Sequence, residues 1–294
     1  MGTAKLLVQS KELWRGTLMM VGQPAEEFAE GAAALLHAGL FSRFPRPDVA
    51  IAIHDDSDLP AGKIGYTLGY VFAGVSLLDL TIYGKGGHGA LPQTTVDPIV
   101  IGSRTVVALQ TIVSRENDPR DPAVITVGSF HAGSKHNIIP DEARLQITVR
   151  SFRDEVHQRL LSAIVRIANA EALAAGAPRD PLVEVPKSAH ATYNDPAITK
   201  RTAEALRRTL GEENVVEQPP KMISEDFSEY GRAGVPTVLL SVGAVRPGQY
   251  ADAKASGRTL PSLHSSTFAP DRELTLKTAI RTETAAALEL LAKR

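Results

Sequence analysis

Read for its apolar positions, the chain mixes two periods. Residues 16–21 form a short apolar run that predicts a strand, which feeds the small-residue stretch Gly31-Ala32-Ala33-Ala34-Leu35-Leu36, read as a helix. Residues 48–53 are nearly continuously apolar, the pattern of a buried strand, and they deliver His54, Asp55 and Asp56 at the strand's end. Ahead of both, residues 4–14 place Leu6, Leu7 and Trp14 as in an amphipathic helix that lacks an N-terminal cap.

From residue 77 the period changes to two: Leu78, Leu80 and Ile82 alternate with Asp79, Thr81 and Tyr83, as in a half-buried strand. A glycine-rich turn follows, then a helix over 96–114, strands over 123–130 and 143–152, a long helix over 154–175 closed by Gly176, and a short strand over 182–185. That order, β-α-β-β-α-β, is the ferredoxin-like unit. It reads as an insertion, because the flanking style then returns. Asn194-Asp195-Pro196 opens a helix that Gly211 stops, residues 236–242 form a buried strand, and residues 271–291 form a terminal amphipathic helix. The polar stretch 246–261 reads as a loose loop. The expected organisation is α/β with a first domain over 1–70 and 187–294 and an inserted α+β domain over 71–186.

Composition narrows the chemistry. With 294 residues the chain can bury two cores. Its 32 basic residues against 33 acidic ones leave a net charge of −1, which gives no electrostatic case for nucleic acid or an anionic membrane and points to a small-molecule partner. There is no cysteine, so disulfides, thiolate nucleophiles and thiolate ligands are excluded, and oxygen and imidazole donors remain. The first residues lack the apolar core of a signal peptide and no run approaches a membrane span, so a cytoplasmic location is expected.

The densest chemistry is Gln23-Pro24-Ala25-Glu26-Glu27-Phe28, two adjacent carboxylates between predicted strand and helix. At such a strand end, where α/β sheets build sites, one carboxylate can hold a cation while its neighbour moves a proton. The same pair also suits the first turn of a helix, where the macrodipole favours acids. Three further signals join it: His54, the segment Ser224-Glu225-Asp226-Phe227, and Leu263-His264-Ser265-Ser266. Each alone fits a surface or core residue, but imidazoles and carboxylates from separate elements are also what a hydrolytic metal site needs. In the inserted domain, Gly84-Lys85-Gly86-Gly87-His88-Gly89 is too rich in glycine for strand stability and implies unusual backbone angles or a close approach. It is no phosphate loop, since no Gly-Lys-Ser/Thr opens the next helix. Asn137, in His136-Asn137-Ile138-Ile139-Pro140, is either a turn residue or a donor to a carboxylate or oxyanion.

Taken together these motifs resemble the dinuclear-zinc N-acyl-amino-acid amidohydrolases, which include hippurate hydrolase and the indole-3-acetyl-amino-acid hydrolases. Gln-Pro-Ala-Glu-Glu, Gly-Lys-Gly-Gly-His-Gly-Ala-x-Pro followed by Asp97-Pro98, Asn-Ile-Ile-Pro, Ser-Glu-Asp-Phe and Leu-His-Ser-x-x-Phe occur in the family's order, from Thr3 onward. The resemblance implies a mixed-sheet metallopeptidase-type catalytic domain with an inserted ferredoxin-like lid and dimerisation domain. It implies Glu26 as general base or acid, and Glu27, His54 and His264 as metal ligands. His88 would reach the partner's site in a homodimer, Asn137 would hold substrate, and Glu225 and Asp226 would shape the site. Two zinc ions are implied, with manganese or cobalt admitted by the same donors, and the substrate class is a small N-acyl amino acid.

The chain departs from the family where Ala52-Ile53-His54 replaces Gly-Leu-His, and it lacks the Cys-Gly-His-Asp-x-His stretch that the family carries upstream. The resemblance therefore implies a second metal site left incomplete and an N-terminally truncated chain inactive alone. Two other readings stand beside the amidohydrolase: a non-catalytic remnant that dimerises through its inserted domain, and a related dipeptidase or carboxypeptidase.

Overall fold

The computed structural model describes residues 1–292. Its elements run in order α1 (Gly2–Gln9), α2 (Gly31–His37), α3 (Leu40–Arg43), β1 (Ala50–Pro60), β2 (Ile64–Tyr66), β3 (Gly69–Phe72), β4 (Gly74–Tyr83) and β5 (Gly87–His88). Then come α4 (Pro98–Thr111), β6 (Ala123–Ala132), β7 (Ile138–Ile139), β8 (Glu142–Ser151), α5 (Asp154–Ala174) and β9 (Leu182–Ala189). The chain finishes with β10 (Thr192–Asn194), α6 (Pro196–Leu210), β11 (Val215–Glu217), α7 (Ser228–Arg232), β12 (Thr237–Val245), α8 (Pro247–Ser256) and α9 (Arg272–Leu290). The chain divides into two compact units, one of residues 1–71, 192–221 and 227–294, the other of residues 72–191 and 222–226.

The first unit is built on a mixed four-stranded sheet in the order β1-β12-β2-β11. β1 runs parallel to β12, β12 antiparallel to β2, and β2 parallel to β11. Its core joins Ile64, Val238, Leu240 and Val242 of the sheet to Ala203 and Leu206 of α6, with Ala279 of α9 packed against them. Both helices start where their sequences say they should: the Asp195 and Asp271 side chains accept from the Ile198 and Leu274 amides, the N-cap bond that satisfies an otherwise orphaned donor. Leu7 of α1 and Trp14, which follows that helix, pack with Ala287 of α9, and the Trp14 indole donates to the Leu7 carbonyl at 2.8 Å.

Three expectations change here. Residues 17–25 form neither helix nor strand, because an apolar run becomes a strand only where a neighbour completes its ladder, and among the described residues none pairs with it. β1 continues to Pro60, so His54 lies inside the strand, opposite Ser241 of β12, rather than at its end. The stretch read as a loose loop contains α8, which Pro247 opens at its first position and Gly257 closes with φ of +67°.

The second unit carries an antiparallel sheet in the order β6-β8-β4-β9. The alternation is plain on β4 and β8: Leu78, Leu80, Ile82, Leu145, Ile147 and Val149 all turn into one core with Ile101 and Leu109 of α4 and Leu160 and Ile164 of α5. The order β-α-β-β-α-β is that of the ferredoxin-like unit, with the two-residue strands β5 and β7 added. Near the start of α5, His157 ties two strands together. Its Nε2 meets Ser76 Oγ of β4 at 2.8 Å and its Nδ1 meets Ser151 Oγ of β8 at 2.9 Å. Both serines are buried. Burial pushes the His157 imidazole below its ordinary value; Asp154 opposes this and His190 adds to it.

Candidate metal and acid–base site

In the first unit the paired glutamates occupy a single 3-10 turn, Glu26–Phe28, held between two alanines in left-handed conformation, Ala25 at φ +56° and Ala29 at φ +50°. Without a glycine, such a turn persists only where its surroundings enforce it. Two contacts do so. The Tyr230 hydroxyl donates to Gln23 Oε1 at 2.8 Å, and that ring stands against Phe227 and Phe41. The start of α2 then crosses so near that a Cβ on Gly31 would lie 1.7 Å from the Pro24 carbonyl oxygen. The motif is thus a shaped turn, and helix α2 starts only after it.

The third non-glycine residue at positive φ among those described is His264, at +62°. Its Nε2 lies 3.9 Å from Glu27 Oε2, and both side chains are largely open to solvent. Two donors each about 2.0–2.2 Å from one cation can stand up to about 4.4 Å apart, so this pair fits the bite of a single divalent ion. His54 is prepared for the same role. Its Nδ1 lies 2.6 Å from the Asp55 carbonyl oxygen, which can only accept, so Nδ1 carries the proton and Nε2 the lone pair. The three residues do not, however, bring their donor atoms within 4.8 Å of one another as a set of three. The structure thus joins Glu27 to His264 and leaves His54 outside that pair.

Two residues on from His54 along β1, the Asp56 carboxylate is buried. Burial raises its pKa, but hydrogen bonds from Lys221, Gln218 and the Asp58 amide outweigh that and hold it below the usual carboxylate range. Glu225 and Asp226, read as shaping residues, are both buried, in the short segment that groups with the second unit.

In the second unit His88 and Asn137 are neighbours. β5 pairs with β7, His88 opposite Ile138, and the Gly89 amide donates to the Asn137 carbonyl at 2.9 Å. The Ala90 amide donates to His88 Nδ1 at 3.0 Å, so neutral His88 carries its proton on Nε2 and presents it as a donor. The dense glycines here serve close approach: none of Gly84, Gly86, Gly87 and Gly89 has positive φ, and a Cβ on Gly86 would sit 2.7 Å from the Ile139 carbonyl oxygen. One further residue escaped the sequence reading. Arg150 of β8 donates to the Met222 carbonyl at 2.7 Å, the one hydrogen bond of its side chain among the described residues, and burial pushes its guanidinium below the ordinary value. The only signal was a cation on the polar side of an alternating strand.

Residues 1–257 match the model of peptidase family M20/M25/M40. The chain belongs to that family. It is 37% identical over 235 residues to IAA-amino acid hydrolase ILR1-like 4 of Arabidopsis thaliana, covering 79% of this chain and 53% of the relative. It is 34% identical over 234 residues to N-acetyl-L-cysteine deacetylase of Bacillus subtilis, covering 78% and 54%. Among solved structures, a dinuclear metal binding peptidase of the M20 family from Bacillus subtilis superposes with a TM-score of 0.77 at 27% identity, over 99% of this chain and 69% of that one. This M20-family chain therefore has the α/β fold of those peptidases, and it spans about half the length of the curated relatives it matches. No described helix is long and apolar enough to cross a membrane.

Proposed function

We propose that this M20-family chain serves a metal-dependent amidohydrolase that cleaves the amide bond of small N-acyl amino acids. The observation that carries the reading is the approach of Glu27 to His264, with Glu26 beside it in an enforced turn. Glu27, His54 and His264 would hold the cation, zinc by family habit, with manganese or cobalt suited to the same donors. What a divalent ion supplies there is polarisation of the amide carbonyl and a lowered pKa for water. Glu26 takes the proton of the attacking water and returns it to the leaving amine. His88, with Nε2–H as its donor, stabilises the developing oxyanion from a second copy of the chain, and Asn137 beside it holds the substrate.

Support for a dimer through the inserted domain comes from the apolar residues Ile99, Val100 and Val107 exposed on α4, and from β6 at the margin of its sheet. Support for the substrate class comes from relatives named for hydrolysis of IAA-amino acids and deacetylation of N-acetyl-L-cysteine. A second reading, a non-catalytic dimer, is favoured by one observation: Glu27, His54 and His264 do not bring their donor atoms together as a set of three, the number of protein ligands usual for catalytic zinc.

Amino-acid release from N-acetyl-, N-benzoyl- and indole-acetyl-amino acids, with zinc added and then removed by chelator, decides between them. Zinc-dependent release that Glu26→Gln abolishes supports the hydrolase. Release that survives chelation refutes it, and no release with zinc, manganese or cobalt leaves the non-catalytic dimer.

A further inference from the structure

Asp56 lies two residues beyond His54, on the same face of β1, and is only 3% exposed. Both of its oxygens are engaged. Oδ1 accepts from the Asp58 amide at 2.8 Å and from Lys221 Nζ at 2.8 Å, and Oδ2 accepts from Gln218 Nε2 at 2.9 Å. Lys221 reaches on to Asp58 Oδ2 at 3.3 Å, while its own amide donates to the Val71 carbonyl at 2.8 Å. Gln218 is fixed through both backbone groups, its amide donating to the Tyr66 carbonyl at 2.8 Å and its carbonyl accepting from Thr67 Oγ1 at 2.9 Å.

The network closes beside a shift in the register of the backbone ladder. Pairing of β1 with β12 runs unbroken from Ala50 opposite Thr237 to Asp56 opposite Gly243, then shifts before Pro60. Among the described strands β12 alone lies beside β1 in the sheet, so across the irregular stretch between Asp56 and Pro60, before pairing resumes at Pro60 opposite Val245, these side chains add to what the ladder holds. A buried ion pair adds little net stability, but any displaced arrangement leaves a charge without its partner, which favours one geometry.

We propose that Lys221 is a positioning residue: through Asp56 it fixes the course of β1 just past His54, the Asp55 carbonyl included, and with it the ring orientation and tautomer of His54. The inference rests on the reading of His54 as a metal ligand and gives that ligand a support drawn from a distant part of the chain. Groups behind a ligand commonly alter metal affinity 10- to 100-fold.

The test uses the full chain, with Asp56→Asn/Lys221→Met removing both charges at once and His54→Ala as reference. In the metal-free protein, ¹⁵N-histidine NMR is expected to show His54 as the Nδ1–H tautomer, replaced by an averaged signal in the double variant. In a Co²⁺ titration followed by its visible spectrum, affinity is expected to fall about tenfold in the double variant and at least as far in His54→Ala, with thermal midpoints of all three proteins within a few degrees. Undiminished Co²⁺ affinity in His54→Ala would overturn the ligand reading, and the tautomer signal would still test Lys221. Loss of affinity in His54→Ala with tautomer and affinity both unchanged in the double variant would overturn the role of Lys221 alone. If the double variant does not fold, Gln218→Leu, which spares the ion pair, takes its place: an averaged tautomer signal with weakened Co²⁺ binding supports the positioning network, and both unchanged overturn it.

Discussion

Ala25, Ala29 and His264 are the three described residues other than glycine with left-handed backbone, and they frame or belong to the candidate site. Each costs about 1–2 kcal/mol relative to an ordinary conformation. Ala25→Gly is therefore expected to stabilise the fold by about 1 kcal/mol, seen as a rise of a few degrees in the thermal midpoint, and an unchanged or lower midpoint would show that the turn is relaxed in solution. The roles of the adjacent acids should separate cleanly. Glu26→Gln is expected to reduce amide hydrolysis at least about 100-fold while leaving Co²⁺ affinity within about twofold, whereas His264→Ala should weaken Co²⁺ binding. Glu26, Glu27, His54, His88, Asn137 and His264 were all visible as candidates because their neighbours form short ordered motifs. Lys221 and Arg150 were not. Lys221 meets Asp56 across 165 positions of sequence, a pairing that only the sheet creates.

Elements were legible where a local period set them and obscure where a distant neighbour did. α4, α5, α6 and α9 lie close to their apolar stripes and capping residues, and β4 and β8 follow their alternation. Residues 16–21 fail because an apolar run says nothing about whether a ladder partner exists, and α8 was hidden by its polarity although Pro247 and Gly257 bracket it. Within the second unit, α5 carries a pH dependence of its own. The folded pKa of His157 is depressed, so the folded state binds fewer protons than the unfolded chain as pH falls below the ordinary histidine value of 6.5. Stability is then fully present above about 6.5 and declines below it. A thermal midpoint that falls between about pH 7 and 5, with the slope reduced in His157→Gln, is the expected result; an identical slope in the variant would place the titration elsewhere. Ile164→Ala, at a fully buried position of the same helix, should cost about 2–5 kcal/mol in denaturant unfolding.

At the scale of the whole molecule, the period of the sequence changes twice, at residue 77 and again near Asn194, and the second compact unit runs to residue 191, since β9 continues to Ala189. Self-association was read from the resemblance, and the exposed apolar residues of α4 now give it a handle. Val107→Glu is expected to convert a dimer to a monomer in sedimentation velocity, and a dimer that survives the substitution would locate its interface elsewhere. A last consequence follows from β1 standing at the margin of its sheet. Its outer row of amides and carbonyls, next to such apolar positions as Ile51 and Ile53, is a template on which extended chains can stack. Concentrated preparations should therefore precipitate as fibrillar, dye-binding material rather than as amorphous flocculate.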